Sequence, residues 1–143
     1  MANETEWTYA SQVTLEASGA SAASDAFVAA DDATLSSTNH SDYPVADFVL
    51  KCDLGGAPSN ATVNLYRCDQ NIDGTNDAVA PSSSFPHVLV GVVAIPASTA
   101  AYYPFPNVPL SQECKFYLEN KTGQTLSAGW TLKATPKTYV PGS

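Results

Sequence analysis

The sequence predicts an all-β fold, a single β-sandwich of about seven or eight antiparallel strands, and three observations carry that expectation. Short stretches alternate apolar and polar residues at period two, Gly- and Pro-rich turns separate them, and no stretch holds a helical period beyond one turn. Jelly-roll connectivity is one arrangement open to such a chain, and a barrel is the alternative. At 143 residues the chain has the length of one domain able to bury a proper core. It is read as one domain, 1–143, with 1–6 a candidate N-terminal arm.

The elements follow from the pattern. Glu6 to Ala17 places Trp7, Tyr9, Val13 and Leu15 on one parity and Thr8, Gln12, Thr14 and Glu16 on the other, which predicts one half-buried strand with Trp7 in the core. A small-residue connector, 18–24, follows. Ala26 to Ala30 reads as a short strand, and Ala29 to Leu35 is the one place for a helical turn. After Pro44, Phe48, Leu50, Cys52 and Leu54 alternate with Val49, Lys51 and Asp53 up to Gly55-Gly56. Ala61 to Asp69 is a strand apolar on both parities, Val63/Leu65 and Tyr66/Cys68, which implies cover on both sides.

A polar excursion, Gln70 to Pro86, precedes the nearly continuous apolar run Val88 to Ile95, read as a central strand with Gly91 marking a bulge or close approach. Tyr102 to Pro109 holds three prolines, Pro104, Pro106 and Pro109, so it is extended or turning and unfit for an interior ladder. The last third reads as a hairpin, with Cys114, Phe116 and Leu118 inside, a turn at Asn120-Lys121-Thr122-Gly123 and a return over Thr125 to Ser127; after Gly129 a last strand carries Trp130, Leu132 and Ala134 on one face.

Composition bounds the partners. Six basic residues against fourteen acidic ones give a net charge of −8, with no Lys/Arg cluster, so nucleic acid and anionic membrane are not expected partners. No apolar run approaches the roughly 20 residues that span a bilayer as a helix. The acidic start, Met1-Ala2-Asn3-Glu4-Thr5-Glu6, is unlike a secretory leader and predicts a protein made and kept in the cytosol. Charged residues make up only 14% of the chain, below the roughly 25% of an average domain, which suits a surface that packs against neighbours. Cys52, Cys68 and Cys114 have no metal-binding spacing and are read as small buried hydrophobes.

Four arrangements invite a chemical reading. Asp69-Gln70-Asn71-Ile72-Asp73-Gly74-Thr75-Asn76-Asp77 matches the first half of a calcium loop, with Asp69, Asn71, Asp73 and Asp77 offering oxygens around the turn that Gly74 permits. Position twelve is Ala80 where a bidentate Glu belongs, and a turn in which Asn and Asp cap their own backbone explains the run equally. His40, beside Ser41 and Asp42, and His87 lie in loop or rim positions without a nucleophile elbow, and no catalytic residue is assigned. Glu16, Asp31, Asp32, Glu113 and Glu119 could converge as paired carboxylates, although carboxylates are more often a solvated face. Tyr102, Tyr103 and Tyr139 are candidates for an exposed platform that stacks against sugar rings.

Glu113 to Pro136 resembles the terminal hairpin of small β-sandwich virion proteins of tailed bacteriophages, and Asn64-Leu65-Tyr66-Arg67, Asn71 to Asp77 and Tyr43 to Leu50 are similar to their central segment. The resemblance implies a non-catalytic capsid decoration (cement) protein in the virion, made in the host cytoplasm, binding the major capsid protein and assembling as a homotrimer. It implies no cofactor and carries over no catalytic residue. A tail-fibre or host-attachment domain binding a surface glycan is the alternative.

Overall fold

The computed structural model describes residues 5–36, 43–59, 61–70, 80–82 and 88–141. They form nine strands: β1 Thr5–Tyr9, β2 Val13–Gly19, β3 Phe27–Leu35, β4 Val45–Cys52, β5 Thr62–Asp69, β6 Val88–Ala94, β7 Ala101–Pro109, β8 Cys114–Lys121 and β9 Trp130–Pro141. The first sheet runs β1-β9-β4-β7, with β2 also beside β9, and the second runs β3-β8-β5-β6. Every pairing is antiparallel, and no helix occurs among the described residues. The expected β-sandwich is the fold.

Period-two burial builds the core. In the first sheet Phe48 and Leu50 of β4 and Leu132 and Ala134 of β9 point inward, meeting Val63, Leu65, Phe116 and Leu118 from the second. Phe48 and Phe116 cross the interlayer space edge to face, with ring centres 4.6 Å apart. Trp130 is buried as expected, and its indole N–H donates to the Ala20 carbonyl at 2.8 Å. The thiols of Cys52, Cys68 and Cys114 are all buried.

Four expectations give way. The segment 6–17 is two strands, because Tyr9 and Val13 are four positions apart while their β9 partners, Lys137 and Ala134, are three apart. That one-residue mismatch reverses the parity, so Val13 and Leu15 face the core while Trp7 and Tyr9 face outward. Residues 29–35 form no helical turn but complete β3, irregularly between Ala30 and Leu35. The closing hairpin does not form: Thr125 to Ser127 is no strand beside β8, Leu126 bridging instead to Ala22 and Leu54 as the chain crosses from β8 in the second sheet to the expected last strand, β9, in the first. β6 lies at the margin of its sheet rather than the centre, paired among the described residues to β5 alone, with Val88, Leu89 and Val92 exposed. Of the candidate arm 1–6, Thr5 and Glu6 pair with Pro141 and Val140, and 1–4 lie outside the described residues.

The two sides of the sandwich close differently. On one side Gly91 of β6 meets Phe105 of β7, where an added Cβ would fall 2.4 Å from the ring, so the close approach expected of this glycine is real. On the other side β2 and β3 are tied by carboxylates, described below. At one end Arg67 grips Asp69 (Nε to Oδ1 2.7 Å) and donates to the Pro109 carbonyl at 2.7 Å, linking β5 to the end of β7.

Candidate functional site

The outer face of the first sheet gathers most of the exposed aromatic surface. Alternation opposite the buried residues turns Val49 and Lys51 of β4, Lys133 and Lys137 of β9 and Trp7 and Tyr9 of β1 outward. Trp7 and Tyr139 are direct cross-strand partners, 44% and 53% exposed, with rings edge to face at 4.8 Å. The Lys137 ammonium sits 4.4 Å from the Trp7 ring centre and 2.9 Å from Asp47 Oδ1, so a nearly buried cation is held by a ring face and a carboxylate together. Lys51 lies over Tyr102, 5.5 Å from its ring centre. Three of the six basic residues of a chain with charge −8 therefore share one face with four exposed aromatics.

The sugar platform expected from Tyr102, Tyr103 and Tyr139 does not assemble. Tyr103 pairs with Leu50 and points inward at 8% exposure, so it is no surface residue. Tyr102 is 69% exposed but lies level with Lys51 and Thr131, eight residues along β9 from Tyr139. At about 3.3 Å per residue that is roughly 26 Å along the strand, beyond one sugar ring. What Tyr139 does meet is Trp7, whose ring also carries the Lys137 ammonium, a cluster hidden from sequence reasoning by the parity reversal after Tyr9.

The carboxylates converge in part. Glu16, Asp31 and Asp32 place carboxylate oxygens within 4.8 Å of one another, whereas Glu113 and Glu119 lie elsewhere, Glu119 opposite Phe27 and accepting from Asn64 Nδ2. The cluster has a structural account: Glu16 accepts the Ser18 and Asp31 backbone N–H groups, and Asp32 accepts that of Ala17 at 2.6 Å. Each bond is charge-assisted, and two of them join the margins of opposite sheets. A hard cation would have to compete for these same oxygens.

Of the calcium-like loop, Asn71, Asp73 and Asp77 lie outside the described residues, as do His40, His87, Ser41 and Asp42. Asp69 is described, and its oxygens take Arg67 Nε, Arg67 Nη2 and the Ser111 hydroxyl. Asn120 is fully buried, with its amide N–H groups donating to the Ala22 and Gln124 carbonyls. A shallow depression of about 450 Å³ at the β5 and β6 ends is lined by Pro58, Ala61, Thr62, Ala94, Ile95 and Pro96. That lining contains no titratable side chain.

The outer face of the second sheet is mixed: Tyr66 and Cys68 of β5 are buried on it, as the two-sided pattern of that strand implied, while Asn64, Lys115, Glu119 and Lys121 share the same face. Tyr66 is buried there beneath Phe27, ring centres 5.4 Å apart, beside Asn64, whose buried Oδ1 has no hydrogen-bond partner. No protein-family model matches the chain, and no curated protein matches it.

Proposed function

We propose that this chain is a non-catalytic structural protein of a phage virion, a capsid decoration protein that stabilises the head by binding the major capsid protein. The observation that carries it is the aromatic and lysine-bearing outer face of the first sheet, centred on Trp7, Tyr139 and Lys137. Exposed Trp and Tyr supply large rigid contact area and dominate protein–protein hot spots, while lysines steer toward an acidic counterpart. A ligand that binds only the assembled shell stabilises it by mass action, with no chemistry required. The sandwich fold and the similarity of Tyr43–Leu50 and Glu113–Pro136 to phage virion proteins support the same reading.

The test is incorporation. Purified chain added to shells lacking it is expected to bind in high copy number and raise their melting temperature, and Trp7→Ala with Tyr139→Ala is expected to abolish both effects. A few copies per particle, or full binding by the double variant, overturns the reading. Exposed Tyr102 beside Lys51 favours a second reading, a host-attachment domain for a surface glycan. Glycan-array binding lost in Tyr102→Ala would support that reading, and a blank array would remove it.

A further inference from the structure

We propose that the outer edge of β6 is a two-fold pairing site for a second copy of this chain, with the two β6 strands antiparallel about Val92. The inference rests on the assembly reading above and names one of its partners.

The other margins are guarded. β7 carries Pro104, Pro106 and Pro109, β1 is five residues long and holds Glu6, and β2 and β3 are tied together by Glu16, Asp31 and Asp32. Prolines, charges and short strands are how proteins keep sheet edges from pairing. β6, Val88-Leu89-Val90-Gly91-Val92-Val93-Ala94, has neither a proline nor a charge, and β5 is its sole strand partner among the described residues.

Its backbone is set for a partner. The Ile95 N–H donates to the Ala61 carbonyl, so by antiparallel alternation Val93 and Gly91 turn their N–H and C=O toward β5. Val92 and Ala94 turn theirs away. The extra residue near Val90 bends the first part of the strand, leaving the regular part, Gly91 to Ala94, to set the register.

Self-complementarity selects a second copy as the occupant. About a two-fold axis at Val92, Val93 faces the partner's Gly91 and Ala94 faces the partner's Val90, so small apolar residues meet one another and no like charges are opposed. In a chain of net charge −8, this strand is a place where two copies can touch without setting carboxylate against carboxylate. Val92, 56% exposed, would lie against its own counterpart on the outer face, and the two four-stranded sheets would become one of eight. The pair is two-fold, where the resemblance to virion proteins implies a trimer.

A seven-residue strand buries less than the roughly 800 Å² per partner of a standard interface, so the pair is weak in solution and is strengthened where copies are held side by side. Sedimentation velocity on the full chain is expected to show monomer passing to dimer between about 10 μM and about 1 mM. Val92→Lys, which sets two ammonium groups beside the axis, and Val92→Pro, which removes an N–H turned away from β5, should each raise Kd at least ~10-fold while leaving the urea midpoint of dilute protein in place. A wild-type chain still monomeric at about 1 mM overturns the proposal, as does a dimer or trimer that neither variant weakens. A monomeric chain that still loads shells would sink the pairing and spare the decoration reading. A Val92-dependent dimer absent from shells would do the reverse.

Discussion

Gly19 and Trp130 are a matched pair, since an added Cβ at Gly19 would fall 1.9 Å from the indole ring. The ring is buried and its N–H is committed to Ala20, so it has nowhere to yield. Gly19→Ala is therefore expected to cost about 1–3 kcal/mol or more through overpacking, read as a lower urea midpoint at unchanged slope. Gly55→Ala is the control, because its nearest contacts beyond chain neighbours are at 3.7 Å, and it should shift stability by no more than about 0.5 kcal/mol. The thiols give a second prediction at this scale. Burial pushes Cys52 and Cys68 up from 9.0 to about 11, with Asp53 and Asp69 adding to the rise, and burial raises Cys114 too. A raised pKa means the unfolded chain loses these protons first, so their contribution is complete below pH 9 and is lost as pH climbs toward 11. Stability should fall in that window by about 1.4 kcal/mol per pH unit for each of Cys52 and Cys68, measured by urea titration under reducing conditions. Native protein at pH 8 should resist a thiol reagent that labels the unfolded chain.

At the scale of the element, Asp47 shows how one side chain fixes a strand. Its Oδ1 accepts the Asn107 N–H at 2.9 Å, holding the left-handed residue (φ 55°) where β7 slips register against β4, and it pairs with Lys137 on β9. Asp47→Ala should cost about 1–3 kcal/mol, since it strands a nearly buried ammonium, with Asp47's own partial exposure placing the value toward the lower end. Asp47→Asn, which keeps an acceptor for Asn107, should recover part of the loss in the same urea measurement. The elements also show what a sequence encodes. The inward parities of β4 and β9 and the two-sided pattern of β5 were legible because burial acts directly on side-chain period. β6 was misplaced because a continuous apolar run reports a need for cover without saying whether the covering groups belong to the same chain. Trp7 was misplaced because one extra residue near Ala10 reverses every later parity, a register event with no compositional mark. The cross-sheet meeting of Glu16 with Asp31 and Asp32 is set by topology, which local pattern does not carry, so only their residue type could be flagged in advance.

For the whole molecule, the distribution of charge makes the two surfaces separable by salt. Net charge −8 repels one copy from another, and the repulsion acts over about 30 Å at 0.01 M salt but only about 8 Å at 0.15 M. Pairing through β6 places no ion pair at the contact, so screening removes the general repulsion and costs nothing local. Attachment through Lys51, Lys133 and the Trp7–Tyr139 cluster draws instead on attraction between lysines and an acidic counterpart, which the same salt weakens. Raising NaCl from about 10 mM to about 150 mM is thus expected to tighten self-association severalfold and to loosen binding to shells, followed by sedimentation and by co-pelleting with particles. Self-association that weakens with salt would move the copy–copy contact onto the lysine face. Shell binding that strengthens with salt would mean that the aromatic rings, rather than the lysines, decide attachment.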